Sequence, residues 1–148
     1  MTLLEFSINL PASSASLIKL ATDYENLNRF LPNQIRNIEI LENNNGKITT
    51  KETLLFKSVI EKQFVQKTIH HPIQDKMLIS EIIDGPAKNS IIKIIFKQLE
   101  SGTNVIGIID LKLGLKYKIF LPIIKKVYKN MITGIMYKIN TEALSKEN

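Results

Sequence analysis

Residues Asp23 to Pro32 read DYENLNRFLP, and the fold turns on how those ten letters are understood. Asp23 is placed to cap a helix of barely two turns, because a carboxylate accepts from the free N–H groups of a first turn. Asn26, three residues on, is placed to reach back as in a weak capping box. Leu27, Phe30 and Leu31 recur at i, i+3 and i+4 and give one apolar face. Pro32 pushes Leu31 out of the helical region and ends the element. Upstream, Pro11-Ala12-Ser13-Ser14 opens a second short helix with Leu17, Ile18 and Ala21 inward. Two abutting short helices between a first and a second strand make a lid-like element rather than a bundle.

Strands flank this pair. Leu3 to Leu10 alternates loosely and stops at Pro11, as a first strand would. Ile35 to Leu41 is a second strand, closed by Glu42-Asn43-Asn44-Asn45-Gly46. Asn and Gly tolerate positive φ, so this run predicts a hairpin. Further strands are predicted over Lys47–Ser58, Gln63–His71, Met77–Ile83, Ser90–Leu99 and Thr103–Leu113, with a break near Val59 to Lys62. Short turns between them imply an antiparallel meander. Gly114 to Leu121 is transitional. From Pro122 to about Ser145 the pattern is helical, with Ile124, Val127, Tyr128, Met131, Ile132, Ile135 and Ile139 on one face. Lys126, Lys129, Asn130, Thr133, Tyr137 and Asn140 occupy the other face. Such a helix spans roughly 35 Å, enough to cross a curved sheet. Gly134 inside it either makes room for a ligand, permits a kink, or is a tolerated defect.

The chain has 148 residues, enough for one domain spanning 1–148. Its formal charge is +6, almost all from lysine, since Arg29 and Arg36 are the only arginines. Ile, Lys and Asn make up over a third of the chain, a bias expected of an AT-rich coding sequence. Scarce arginine and few aromatic platforms argue against a nucleic-acid partner. A weak attraction to anionic membrane surfaces is compatible with the same charge. There is no cysteine, which excludes disulfides, thiolate nucleophiles and cysteine metal sites. No window approaches the ~20 apolar residues of a membrane span, and Met1 to Pro11 has no signal-peptide pattern. The expectation is a soluble cytoplasmic protein without integral membrane association.

The element order is strand, two short helices, six strands, one long helix. Together with Pro11-Ala12-Ser13, D-x-E-N-x-x-x-F-L-P at Asp23 to Pro32, Asp84-Gly85-Pro86 and Gly102-Thr103-x-Val105, it resembles the helix-grip fold of the SRPBCC superfamily. That superfamily includes START domains, the birch-pollen-allergen (Bet v 1-like) family, polyketide cyclases and coenzyme Q-binding proteins. The helix-pair motif most resembles the polyketide cyclase and coenzyme Q-binding branch, although this chain has no tryptophan. The resemblance implies an α+β architecture: a curved seven-stranded antiparallel sheet wrapped around the C-terminal helix. It also implies a cavity between them for a hydrophobic small molecule such as a lipid, an isoprenoid quinone or a polyketide-like compound.

Lysines mark the solvated face of each strand. Lys51 and Lys57 outward leave Thr50, Glu52, Leu54 and Phe56 inward; Lys67 outward leaves Phe64, Gln66, Thr68 and His70 inward. Lys93 and Lys97 outward leave Ile92, Ile94 and Phe96, and Lys112 outward leaves Val105, Gly107, Ile109 and Leu111. The fifth strand has no such outward marker; Met77, Ile79, Glu81 and Ile83 are read as inward. The expected cavity residues are therefore Phe30, Glu52, Leu54, Phe56, Phe64, Gln66, His70, Ile79, Glu81, Ile94, Phe96, Ile109, Val127, Met131 and Ile135.

A buried carboxylate is costly without a partner, so His70 is expected beside Glu52 or Glu81. That pair would orient a ligand's polar end, satisfy itself structurally, or serve a cyclase- or dehydratase-type enzyme as acid and base. No catalytic residue is assigned. His70 and His71 point to opposite faces of a strand, so no metal site is expected, and no cofactor either. Ile91, Ile95, Ile106 and Ile108 fall on the predicted outer face. They are either a surface for a homodimer or other protein partner, or a sign that the faces are reversed there.

Overall fold

The computed structural model describes residues 2–56 and 62–147. Strand β1 (Thr2–Leu10) is followed by α1 (Ser14–Ala21) and a 3-10 helix over Tyr24–Phe30. Six strands come next: β2 (Ile35–Asn44), β3 (Lys47–Phe56), β4 (Lys62–His70), β5 (Met77–Asp84), β6 (Ile91–Leu99) and β7 (Gly102–Leu111). A second 3-10 helix (Leu115–Phe120) leads into α2 (Leu121–Glu147). The strands form one antiparallel sheet in the order β1-β7-β6-β5-β4-β3-β2. Six strands thus run as a meander and β1 joins beside the last of them. The α+β helix-grip architecture expected from the sequence is present. Of the expected break near Val59 to Lys62, only Lys62 is described, and it already opens β4; the rest, with the outward placement of Lys57, lies outside the described residues.

Local chemistry explains most boundaries. The β2–β3 hairpin turns on Asn45 and Gly46, both at positive φ (55° and 87°). Ser13 caps α1, its hydroxyl accepting from the Ser16 N–H. The stretch Tyr24–Phe30 is 3-10 rather than α-helical, and this corrects the expected cap. Asp23 makes no side-chain bond to a backbone N–H; both its oxygens accept instead from Asn26 Nδ2 at 3.0 Å. Its backbone carbonyl takes the Asn26 N–H, the i→i+3 bond of the tighter winding.

The concave face of the sheet and α2 share one core, with Leu4, Leu54, Ile82, Phe96, Val105, Ile109, Tyr128 and Ile139 deeply buried. Face assignments on β3, β4, β6 and β7 follow the lysines as expected. On β5 the assignment is reversed: Leu78, Ser80 and Ile82 face inward, opposite Ile94, Ile92 and Thr68. Ile79 and Glu81 therefore lie on the convex face, with Ile91, Ile95, Ile106 and Ile108 close by. The reason is that this face is apolar on both sides of β5, so hydrophobicity could not mark the inside. A register shift at Lys67/Thr68 adds one residue to β5 and ends the alternation near Ile83.

Helix α2 is about 40 Å long at 1.5 Å per residue and buries the predicted apolar stripe. One outward assignment fails. Asn140 is buried, and its Oδ1 accepts from the Ala12 N–H at 2.9 Å, satisfying the backbone where β1 passes into α1. Gly134 seats Leu31: a methyl group there would meet Leu31 Cδ2 at 3.7 Å, an ordinary contact. Gly134→Ala is therefore expected to stabilise the protein by about 0.5–1 kcal/mol through helix propensity. A lowered urea midpoint would mean that the Leu31 seat tolerates no added methyl.

Candidate functional site

Strands β3, β4 and β5 bring five polar side chains to one end of the concave face: Glu52, Gln66, Thr68, His70 and Ser80. They close one side of a cavity of about 130 Å³. The remaining wall is apolar. Ala21 from α1, Leu27 from the 3-10 helix, Leu78, Ile92 and Ile94 from the sheet, and Ile132, Ile135 and Met136 from α2 supply it. Tyr24 completes the wall by stacking on His70, ring centroids 3.9 Å apart and planes 13° from parallel.

The polar groups form a directed chain. Thr50 donates to Glu52 Oε1 at 2.8 Å. Because its hydrogen is used there, Thr50 Oγ1 accepts from His70 Nε2 at 2.9 Å. His70 Nδ1 then accepts from the Ser80 hydroxyl at 2.7 Å. A second arm runs from Tyr128, whose hydroxyl donates to Gln66 Oε1 at 2.7 Å. Glu52 Oε2 is buried and, among the described residues, has no hydrogen-bond partner.

Burial decides the charges. It pushes the Glu52 carboxyl up to about 7, against the opposing hydrogen bond from Thr50. It pushes His70 down to about 4, helped by the charge of nearby His71. The Glu52–His70 separation of 3.9 Å would suit an ion pair. Both groups are instead neutral between those two values, because separating charge at so buried a position costs more than the Coulomb attraction returns. With Thr50 donating to Oε1, Oε2 is the oxygen left open to carry the proton of neutral Glu52.

The structure distributes the expected site residues over four environments. Glu52, Gln66, His70, Ile94 and Ile135 line the cavity. Leu54, Phe96 and Ile109 are 2%, 1% and 1% exposed and fill space rather than line it, and Phe30 and Met131 are buried in the core outside the lining of this cavity. Phe56 and Val127 border a separate groove beside Leu31 and Pro32, and Phe64 packs against Phe56 at 4.9 Å between rings. Ile79 and Glu81 are on the opposite face of the sheet, so the pairing of His70 with Glu81 is ruled out. Tyr24 and Ser80 were not foreseen. Ser80 was hidden by the reversed β5 face, and no periodicity signals a stack between a 3-10 turn and a strand.

No protein-family model and no curated protein matches the sequence. Among solved structures, a START superfamily protein from Mycobacterium smegmatis superimposes with a TM-score of 0.76 at 13% identity, over 97% of each chain. The Zhui aromatase/cyclase from Streptomyces sp. R1128 gives 0.83 at 11% identity, over 99% of this chain and 96% of that one. Major latex-like protein 151 from Panax ginseng gives 0.74 at 13%, over 97% of each. At such identities the likeness is one of fold alone: the chain has the helix-grip architecture that these START and aromatase/cyclase structures share.

Proposed function

We propose that this chain, built on the fold of START proteins and aromatase/cyclases, binds an apolar small molecule through one polar oxygen. The observation that carries the reading is Glu52 Oε2, buried and, among the described residues, without a partner at the polar end of an otherwise apolar cavity. An unmet buried oxygen of this kind costs about 1–3 kcal/mol, which a ligand group would recover. A ligand that expels the remaining water favours the neutral carboxyl further. Neutral Glu52 donates from Oε2, so the matching ligand group is an acceptor such as a carbonyl oxygen. Quinone-like and polyketide-like rings fit that requirement better than a bare acyl chain.

Size sets a second condition. Sites for drug-sized ligands are usually ~300–1,000 Å³, and this one is about 130 Å³. One ring fills it. Anything longer has to displace part of the wall, and the 3-10 helix that supplies Tyr24 and Leu27 is the short element in it. That helix is tied to α2 by the bidentate pairing of Arg29 with Glu142, an exposed contact of modest strength.

Ile135→Trp places an indole in the cavity and is expected to weaken uptake of an apolar fluorescent probe about tenfold or more, at an overpacking cost of about 1–3 kcal/mol. Ile79→Trp, on the convex face, leaves the cavity unchanged. Equal uptake by the parent and the Ile135→Trp protein would remove this cavity from consideration. Native mass spectrometry of the purified protein supplies the independent readout, a co-purified adduct.

The same carboxyl supports a second reading, an enzyme of the cyclase or dehydratase kind. A carboxyl protonated near neutral pH suits general-acid catalysis toward a carbonyl. Glu52→Gln separates the two readings: it keeps a donor and hence binding, and it loses the transferable proton and hence turnover.

A further inference from the structure

The segment from Leu111 to Thr141 contains no aspartate or glutamate. Along it, Lys116, Lys118, Lys125, Lys126 and Lys129 are all exposed. Within the same segment Leu115 is 85% and Ile119 80% exposed. Two aliphatic side chains left this open are unusual beside a helix that buries its apolar stripe so thoroughly. The rest of the second 3-10 helix is anchored. Tyr117 packs edge-on against Phe64 at 5.7 Å, and Phe120 and Leu121 pack on the core. Leu115 and Ile119 are therefore held out from a fixed base, not left loose at a terminus. Glu5 on β1 is the acidic neighbour, lining a shallow groove with Lys125, Lys126 and Lys129.

We infer that the second 3-10 helix and the start of α2 form a docking surface for an anionic lipid bilayer, with Leu115 and Ile119 entering the interfacial layer while the lysines meet headgroup phosphates. The charge carried by the segment itself is of one sign, the apolar groups stand among the lysines along the chain, and lysine at this density is attracted to anionic leaflets. Nucleic acid would be served by arginine forks and exposed ring platforms. The surface offers lysine and aliphatic side chains instead. No helix among the described residues is long and apolar enough to cross a membrane, so the attachment is peripheral. The inference stands apart from the cavity and from whatever it binds.

Co-sedimentation of the full chain with vesicles tests it. Binding is expected to phosphatidylcholine vesicles containing phosphatidylglycerol, to be weak on phosphatidylcholine alone, and to fall as salt shortens the Debye length from about 8 Å to about 3 Å. The double variant Leu115→Ser with Ile119→Ser is expected to lose about tenfold or more in vesicle affinity, with an unchanged melting curve, since neither side chain is part of the core. Lys125→Glu with Lys126→Glu lowers the anionic component separately. Equal binding by parent and serine variant, or no binding to anionic vesicles, overturns the inference. Retention of single-stranded RNA without retention of vesicles also overturns it, and reassigns the face to nucleic acid.

Discussion

Unfolding measured from about pH 4 to about pH 8 is expected to give opposite slopes for Glu52→Gln and His70→Gln, each read as a difference from the parent. Glu52 has a folded-state value of about 7 against an ordinary 4.5. The folded protein then holds an extra proton across that window, so this group's contribution is complete below about pH 4.5 and is lost as pH rises towards 7. His70 has a folded-state value of about 4 against an ordinary 6.5. The unfolded chain is the better proton binder there, so His70's contribution is complete above about pH 6.5 and is lost as pH falls towards 4. Each gap is worth about 3 kcal/mol. In the parent the two slopes oppose one another over the shared window and largely cancel. Glu52→Gln leaves the His70 slope alone, and the variant weakens with acid. His70→Gln leaves the Glu52 slope, and the variant weakens with base. Parallel difference curves would mean that the pair titrates as an ion pair and that the neutral assignment is wrong.

Gly102→Ala is expected to cost about 3 kcal/mol or more in chemical denaturation. Gly102 opens β7 at φ 114°, and a Cβ there would lie 2.3 Å from the Leu10 carbonyl oxygen and 3.0 Å from Pro11 Cα. Both obstacles are backbone, so no side-chain rotation relieves the overlap. The position is also a junction. Gln98 Nε2 donates to the Gly102 carbonyl at 2.7 Å while its Oε1 accepts from Ser14 N and Oγ at the start of α1. Thr103 Oγ1 donates to the Ala12 carbonyl at 2.8 Å. Displacing Gly102 disturbs the seat of α1, and with it the wall that Ala21 contributes to the cavity. Gly46→Ala is the control. It has the same kind of φ, 87°, but its nearest neighbour is Pro72 Cγ at 3.5 Å, so it carries backbone strain without the collision. Equal losses from the two substitutions would show that strain alone matters and that the β6–β7 turn does not lock the α1 junction.

What could be read along the chain were features that one residue and its near neighbours decide. Asn45-Gly46 sets a turn because positive φ is a property of those two residues. Pro11 and Pro32 end elements because the ring removes a donor and restrains the preceding residue. Lysines identify the outer face of β3, β4, β6 and β7 because a charged head must reach water. The same logic had nothing to work on in β5, where apolar residues stand on both faces, and it misplaced Ile79 and Glu81. It placed Asn140 outward as well. An amide is polar by composition, and only the approach of the Ala12 N–H makes burial favourable.

The candidate site shows the same division at finer scale. Glu52, Gln66, His70, Ile94 and Ile135 were assigned to the interior by alternation and helical period. Neither pattern carries volume, so nothing in the letters distinguished residues that line a space from Leu54, Phe96 and Ile109, which close it. Order of elements, turn positions and most strand faces were settled by the sequence alone, since each follows from local backbone sterics and the hydration of single side chains. The size of the cavity, the neutral state of Glu52 and His70, and the stack of Tyr24 on His70 were settled by tertiary structure. Those depend on how much water is excluded and on which distant groups meet, and neither quantity exists until the sheet closes on α2.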